Sequence, residues 1–153
     1  MITICSKHAT DTKMLAKQLL SVIPEDVRVI VLEGTLGSGK TTFTKGLAEA
    51  LEIKRPVNSP TYTILKTYQG TKKLHHLDLY RLNDAGFDFD LEEYIYDKEA
   101  ITVIEWAEKV PQFIPNKYIK VVFDYIDEET RNITILSEGI SDAWEVLLSK
   151  HYF

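Results

Sequence analysis

The chain has 153 residues, of which 44% are hydrophobic and 27% are charged, a composition typical of a soluble globular protein with one core. The formal net charge of −5 excludes a protein that binds nucleic acid through a broad basic face. The single cysteine, Cys5, excludes an internal disulfide. No run approaches the roughly 18 apolar residues of a membrane span, and no basic segment precedes an apolar run at the N-terminus. We therefore expect a cytoplasmic protein with no membrane partner.

The N-terminal part of the chain predicts a strand, a helix and a second strand. Ile2–Cys5 forms a short apolar run, and the Cys5 side chain is expected in the core. An apolar stripe from Met14 to Val22 predicts a helix. Val27–Leu32 is β-branched and mostly apolar, so it predicts a buried strand.

The next segment, Gly34–Thr41, fits the pattern G-x-x-x-x-G-K-[ST] of a phosphate-binding loop. Glycines let the backbone wrap a triphosphate with its N–H groups pointing inward. Lys40 then reaches the β- and γ-phosphates, and the Thr41 hydroxyl can hold Mg²⁺. A strand precedes the loop and a helical pattern over Thr42–Leu51 follows it, as the motif requires. The sequence therefore predicts a nucleotide-binding site.

The rest of the chain predicts a hairpin, a short helix, a buried strand, a second hairpin and a last helix. In chain order these are Tyr62–Tyr68 with Lys73–Tyr80, Leu91–Tyr96, Ala100–Ile104, Tyr118–Tyr125 with Arg131–Leu136, and a helix after Ser141. Helices and parallel-type strands around a phosphate loop indicate an α/β fold. We expect one domain over residues 1–153, a phosphate-loop (P-loop) NTPase fold with a mixed central sheet and added β-hairpins.

A phosphate loop needs a carboxylate at the end of a neighbouring strand to help place Mg²⁺ or water. Glu105 ends the buried strand, and Asp78 lies in a segment where polar and apolar residues alternate. On pattern alone both stay candidates. Asp124 precedes a hairpin turn and is expected to face solvent, whereas Glu33 lies on the strand that leads into the loop itself.

Five motifs occur in a fixed order along the chain: Gly34–Thr42, Ser59–Thr63, His76–Arg81, Leu91–Tyr94 and Ile104–Glu108. In this combination the chain resembles TsaE (the YjeE family), the bacterial ATPase of the tRNA threonylcarbamoyladenosine pathway. The resemblance covers about residues 11–135. One departure is visible, because the family usually has Pro after the Trp where this chain has Ala107, which costs loop rigidity but removes no reactive group.

The resemblance implies a compact α/β fold that hydrolyses ATP in the service of a complex with TsaB and TsaD. That pathway places a threonylcarbamoyl group on adenosine next to the anticodon of tRNAs that read codons beginning with A. The family's ATP cycle is expected to reset the complex between turnovers, so tRNA is a partner only through the complex. The ATPase is expected to be weak alone and stimulated by its partners.

The resemblance also implies roles for individual residues. Thr41 and Glu105 are expected to hold Mg²⁺, Asp78 to be needed for turnover, and Lys40 to complete the catalytic set. The segment 59–61 matches a switch-like loop that faces the γ-phosphate. The ATP-binding residues are expected to be Thr12 near the adenine, Arg131 beside the nucleotide, and the loop residues Gly37, Ser38, Gly39, Lys40, Thr41 and Thr42.

Two other functions stay open, a small-molecule phosphotransferase and a nucleotide-gated binding module without significant turnover. A kinase of this class normally carries a lid with several arginines, and the chain has only Arg28, Arg55, Arg81 and Arg131, which form no cluster in the sequence. A module without turnover would not need a loop lysine and two strand-end carboxylates together.

Overall fold

The computed structural model describes residues 1–58, 63–82 and 90–152. In chain order its elements are β1 (Ile2–Ser6), α1 (Ala9–Val22), β2 (Val29–Glu33), α2 (Lys40–Ala50), β3 (Leu65–Gln69), β4 (Lys73–Asp78), α3 (Leu91–Ile95), β5 (Ala100–Glu105), β6 (Tyr118–Tyr125), β7 (Arg131–Glu138) and α4 (Ala143–Ser149). Two 3₁₀ turns, Ala107–Lys109 and Pro111–Phe113, follow β5.

The seven strands form one mixed sheet in the order β1-β7-β6-β2-β5-β4-β3. β2 runs parallel to both β5 and β6, and β4 runs parallel to β5. The hairpins β3–β4 and β6–β7 add antiparallel strands on either side. The predicted α/β fold with a mixed sheet and added hairpins is therefore confirmed, although the expected start of the first hairpin at Tyr62 lies outside the described residues.

The order of the strands decides where a site can form. Parallel strands end at the same edge of a sheet, and ligands of α/β proteins bind at that edge. In the register of β4 and β5, Asp78 lies beside Glu105, and in the register of β2 and β5, Glu105 lies beside Leu32. Both candidate carboxylates therefore reach the edge at which β2 leads into the glycine-rich loop.

The two faces of the sheet are covered differently. α1, α2 and α4 pack on one face over the larger apolar core, which includes the fully buried side chains of Leu15, Leu47 and Trp144. The other face carries a smaller apolar cluster beneath α3 and the two 3₁₀ turns. Among the described residues, no helix combines the length and apolar character needed to cross a bilayer.

The expectation that Cys5 lies in the core is wrong. β1 alternates between buried and exposed side chains, and Ile2, Ile4 and Ser6 occupy the buried face. Since successive side chains of a strand point to opposite faces, Cys5 is exposed. The apolar character of the short run did not indicate which of its residues share the buried face.

Gly46, in α2, allows a close approach of α1. A Cβ atom at this position would lie 2.6 Å from the Lys13 carbonyl oxygen and 2.8 Å from the Ala16 Cβ. We expect Gly46→Ala to lower the free energy of unfolding in urea by about 1–3 kcal/mol through overpacking, although alanine is the better helix former by about 1 kcal/mol. Lys45→Ala, at an exposed neighbour, should change it by less than about 0.5 kcal/mol. A Gly46→Ala protein as stable as the parent would contradict this contact.

Candidate functional site

The loop between β2 and α2 offers backbone N–H groups at the edge of the sheet. Gly37 and Gly39 have φ angles of 77° and 110°, which lie in the left-handed region that favours glycine. Gly39 is the N-cap of α2, which begins at Lys40. The first N–H groups of a helix have no partner within it and form its positive end. The loop and α2 together therefore make an anion-binding site of the kind that holds phosphate groups.

Arg131, the first residue of β7, holds this loop from outside. Its Nε donates to the Ser38 carbonyl at 3.0 Å and its Nη2 to the Gly37 carbonyl at 3.1 Å. Nη1 donates to two carbonyls of the β6–β7 turn, and the guanidinium lies 4.5 Å from the ring centroid of Tyr125. Because C=O and N–H point in opposite directions across a trans peptide, holding these carbonyls fixes where the loop amides point.

Lys40 lies between the loop and the end of β5. Its Nζ donates to the Gly34 carbonyl at 2.7 Å and lies 3.4 Å from Glu105 Oε1. The Lys40 side chain is only 11% exposed and that of Glu105 only 6%. Burying either charge alone costs several kcal/mol, and each of the two groups lies within ion-pair distance of the other.

His76 is a member of the site to which the sequence analysis assigned no role. It is fully buried in β4, and its Nε2 donates to Glu105 Oε2 at 2.7 Å. Glu105 thus has Lys40 at one oxygen and His76 at the other, which fixes the plane of its carboxylate. Strand periodicity could have indicated this residue, since His76 is two positions before Asp78 and lies on the same face of β4.

These contacts control the protonation of Glu105. Burial alone would raise its pKa, but the hydrogen bond from His76 and the positive charge of Lys40 outweigh burial and hold the pKa below its usual value. Glu105 is therefore a carboxylate at neutral pH, the form in which a carboxyl group binds a metal ion.

Asp78 is another carboxyl group at this edge, and its pKa is raised above that of an ordinary aspartate. Its Oδ1 accepts a hydrogen bond from the Tyr80 amide at 3.1 Å. Burial raises the pKa of Asp78, the Tyr80 amide opposes that shift, and the charge of Glu105 adds to it. A carboxylate with a raised pKa near an ion pair suits a group that accepts a hydrogen bond from water during a reaction.

A cavity of about 290 Å³ opens beside the N-terminus of α2, between α1 and the β6–β7 turn. Its lining includes Thr12, Gly39, Thr42 and Arg131. Thr12 is buried, and its hydroxyl is hydrogen bonded to the Ser6 hydroxyl at 2.7 Å. Thr12, which the resemblance places near the adenine, and Arg131, which it places beside the nucleotide, thus line one cavity that adjoins the loop.

The predicted site residues fall into two adjoining groups. Gly37–Thr42, Asp78 and Glu105 lie at the edge of the sheet where β2, β4 and β5 end, whereas Thr12 and Arg131 line the cavity next to it. The segment expected to face the γ-phosphate, 59–61, lies outside the described residues, and its role stays a prediction.

Trp106 follows Glu105 directly and has an unusual backbone. Its φ and ψ of 63° and 41° are left-handed, which costs about 1–2 kcal/mol for a residue other than glycine. In this conformation the indole is half-buried beside the site, with its centroid 5.0 Å from that of Tyr80 and 5.9 Å from Lys40 Nζ. Trp144, in contrast, is 1% exposed in the core.

We expect nucleotide to change the tryptophan fluorescence of the protein through Trp106, because this indole lies next to the lysine of the loop. Titration of Trp106→Phe should show less than about a third of the parent's change, whereas Trp144→Phe should keep most of it. A change that survives in Trp106→Phe and disappears in Trp144→Phe would assign the signal to the core instead.

Comparison with known proteins gives one family. Residues 6–133 match the family described as threonylcarbamoyl adenosine biosynthesis protein TsaE. A tRNA threonylcarbamoyladenosine biosynthesis protein TsaE of Bacillus subtilis (strain 168) is 40% identical over 145 residues, which cover 92% of this chain and 89% of the relative. The protein of the same name from Nostoc sp. is 44% identical over 121 residues, 74% of each chain. The crystal structure of Bacillus subtilis YdiB has a TM-score of 0.75 and 32% identity, covering 98% of this chain and 95% of that chain.

Proposed function

The chain belongs to the TsaE family and so to tRNA threonylcarbamoyladenosine biosynthesis, and on that premise we propose that it binds ATP with Mg²⁺ and hydrolyses it to act on a TsaB–TsaD complex. One observation carries the proposal. The ionised, buried Glu105 lies 3.4 Å from the loop lysine, Lys40, at the edge of the sheet where a phosphate loop meets the N-terminus of a helix. This arrangement supports phosphoryl transfer to water.

The residues of the site fit a nucleotide with its metal ion. The loop amides and Lys40 would bind the β- and γ-phosphates, while Thr41 in the first turn of α2 and Glu105 at the end of β5 would hold Mg²⁺. Mg²⁺ binds through few protein oxygens together with substrate phosphates, so one hydroxyl and one carboxylate suffice. When bound, the ion neutralises charge on the phosphates as the γ-phosphoryl group leaves.

Asp78 is the group that would orient the attacking water. Its raised pKa makes it a better hydrogen-bond acceptor than an ordinary aspartate. Water held there would attack the γ-phosphorus and give a proton to Asp78, the bond from the γ-phosphorus to the β–γ bridging oxygen would break, and ADP would leave with that electron pair. Lys40 stabilises the charge that moves towards the β-phosphate. His76 does not touch the phosphates in this scheme, and it positions Glu105.

The proposed partners are TsaB and TsaD, with tRNA bound only through their complex. Two observations favour a site that a partner completes. Arg131 is engaged by loop carbonyls, Arg28 donates to the Lys98 carbonyl, and Arg55 lies 5.2 Å from the ring centroid of Tyr68. Considering the contacts among the described residues, Arg81, exposed and three positions after Asp78, is left as an internal candidate. The net charge of −5 also suits a basic partner face.

The proposed roles of the two carboxyl groups are tested by separating binding from hydrolysis. Glu105→Ala should lose the Mg²⁺-dependent part of ATP affinity, and Asp78→Ala should keep ATP affinity and lose hydrolysis, each by about 10–100-fold. ATP titrations with and without Mg²⁺, followed by phosphate release, measure both. If Glu105→Ala responds to Mg²⁺ as the parent does, the two roles are exchanged. If neither variant slows phosphate release, the protein is not an ATPase at this site.

A further inference from the structure

A groove runs from the phosphate loop along the face of the sheet that carries α3. It consists of two adjoining cavities of about 360 and 340 Å³, which share Glu33 and Glu108 in their linings. The cavity next to the loop is lined by Lys40 and Trp106. We call the two cavities together the Glu33–Glu108 groove.

The linings of the two cavities contain two carboxylates, Glu33 and Glu108, and two ammonium groups, Lys40 and Lys120. Lys40 pairs with Glu105, which lies outside these linings. Glu33 Oε1 accepts from Lys120 Nζ at 2.8 Å, with both side chains partly exposed. Glu108 is exposed, and within the part of the chain that the structure describes it makes no ion pair. The hydrogen bond to Glu33 and the negative charge of Glu33 raise the pKa of Lys120 above its usual value. Lys120 and Lys40 are thus paired with other carboxylates, and Glu108 is left without an ion-pair partner among the described residues.

The wall of the groove nearest the loop is aromatic. Trp106 lies against Tyr80, which is 57% exposed, with 5.0 Å between the ring centroids. The strained left-handed backbone of Trp106 keeps the indole at this place, between Glu105 and the turn that carries Glu108. An aromatic face next to an unpaired carboxylate is the environment that binds a guanidinium group, which stacks on rings and pairs with carboxylates.

The second cavity lies farther from the loop, and most of its lining residues are apolar. Pro111, Ile114 and Tyr118 contribute to its lining, with Lys120 at its side. If a partner's side chain enters the first cavity beside Lys40, the second cavity has room for apolar residues that neighbour it in the partner's chain. Such a combination fits an extended segment of polypeptide rather than an isolated cation.

We propose that the Glu33–Glu108 groove receives an arginine on an extended segment of the protein partner. The inference rests on the proposed function and adds the place and the chemistry of the contact. The guanidinium stacks on Trp106 and pairs with Glu108. Because Lys40 lines the same cavity, this positive charge lies next to the phosphates that Lys40 binds.

The test reverses the charge of the groove without touching the nucleotide residues. Glu108→Lys is compared with Glu99→Lys, an exposed residue before β5, at the opposite edge of the sheet; both raise the net charge equally. We expect Glu108→Lys to bind ATP no more weakly than the parent, to bind TsaB–TsaD at least tenfold more weakly at 0.15 M salt, and to lose most of its stimulation. Glu99→Lys should stay within twofold of the parent in all three measurements.

The outcomes separate this inference from the proposed function. A parent protein that neither binds TsaB–TsaD nor is stimulated by it overturns the proposed function, and this inference with it. If the parent and Glu108→Lys bind TsaB–TsaD equally well and are stimulated by it to the same extent, the proposal about the groove is overturned and the proposed function is not. Reversing the exposed arginines of TsaB–TsaD to glutamate, one at a time, should yield one variant that restores binding to Glu108→Lys. Failure of every such pair also overturns the proposal.

Discussion

Replacing Lys40 with alanine is expected to weaken ATP binding by about 10²–10⁴-fold. The ammonium group of Lys40 is the side-chain charge closest to the loop, 2.7 Å from the Gly34 carbonyl oxygen. In the proposed complex it makes hydrogen bonds to two phosphate groups. Hydrogen bonds between charged groups contribute about 1.5–3 kcal/mol each, so two of them account for the loss. Isothermal titration calorimetry with ATP and Mg²⁺ measures it.

Two controls make this result specific. Lys45→Ala removes an equal charge from an exposed position of the same helix, and it should leave ATP affinity within about twofold. Lys40→Ala also takes one partner from Glu105, but His76 still donates to the other carboxylate oxygen. The variant should therefore remain folded, which its urea unfolding curve checks. A folded Lys40→Ala protein with unchanged ATP affinity would refute the assignment of the phosphate loop.

The loop and the strands around it could be predicted because their signals are local. The residue types of Gly34–Thr41 are those that its backbone needs, and the run at Val27–Leu32 shows the density of apolar residues of a buried parallel strand. Glu105 was found because it closes such a strand, and Asp78 because it lies in a segment where polar and apolar residues alternate. The structure adds that the two strands are neighbours in register, which leaves both residues candidates for the site.

The remaining contacts depend on pairings between distant parts of the chain, which one sequence does not reveal. Arg131 reaches the loop carbonyls from 93 positions away, because β6–β7 returns beside β2. His76 reaches Glu105 because β4 and β5 are adjacent. The left-handed backbone of Trp106 has no local signal either, because such a conformation normally indicates glycine or asparagine. The contacts of these three residues hold the loop, the carboxylate and the wall of the groove, and the sequence predicted none of these contacts, although it predicted Arg131 as a residue of the site.

Hydrolysis by the free protein is expected to be slow, and the TsaB–TsaD complex is expected to accelerate it by a factor on the order of 10³–10⁵. The free protein can position ATP through the loop, Lys40 and Glu105. Phosphoryl transfer also needs a positively charged group beside the γ-phosphate, which stabilises the negative charge of the transition state. An arginine supplied by a partner commonly provides this group. Three of the four arginines of this chain are engaged away from that position.

This prediction is tested by comparing steady-state phosphate release in four samples. These are the free protein, the protein with TsaB–TsaD, and TsaB–TsaD with the Asp78→Ala or the Arg81→Ala variant in place of the parent. Asp78→Ala should bind the complex and show no acceleration, because the water-orienting group is missing. Arg81→Ala should keep the acceleration if the charge comes from the partner, whereas its loss would assign that charge to this chain. Rapid hydrolysis by the free protein, unchanged by TsaB–TsaD, would refute partner-gated action and favour an enzyme that works alone.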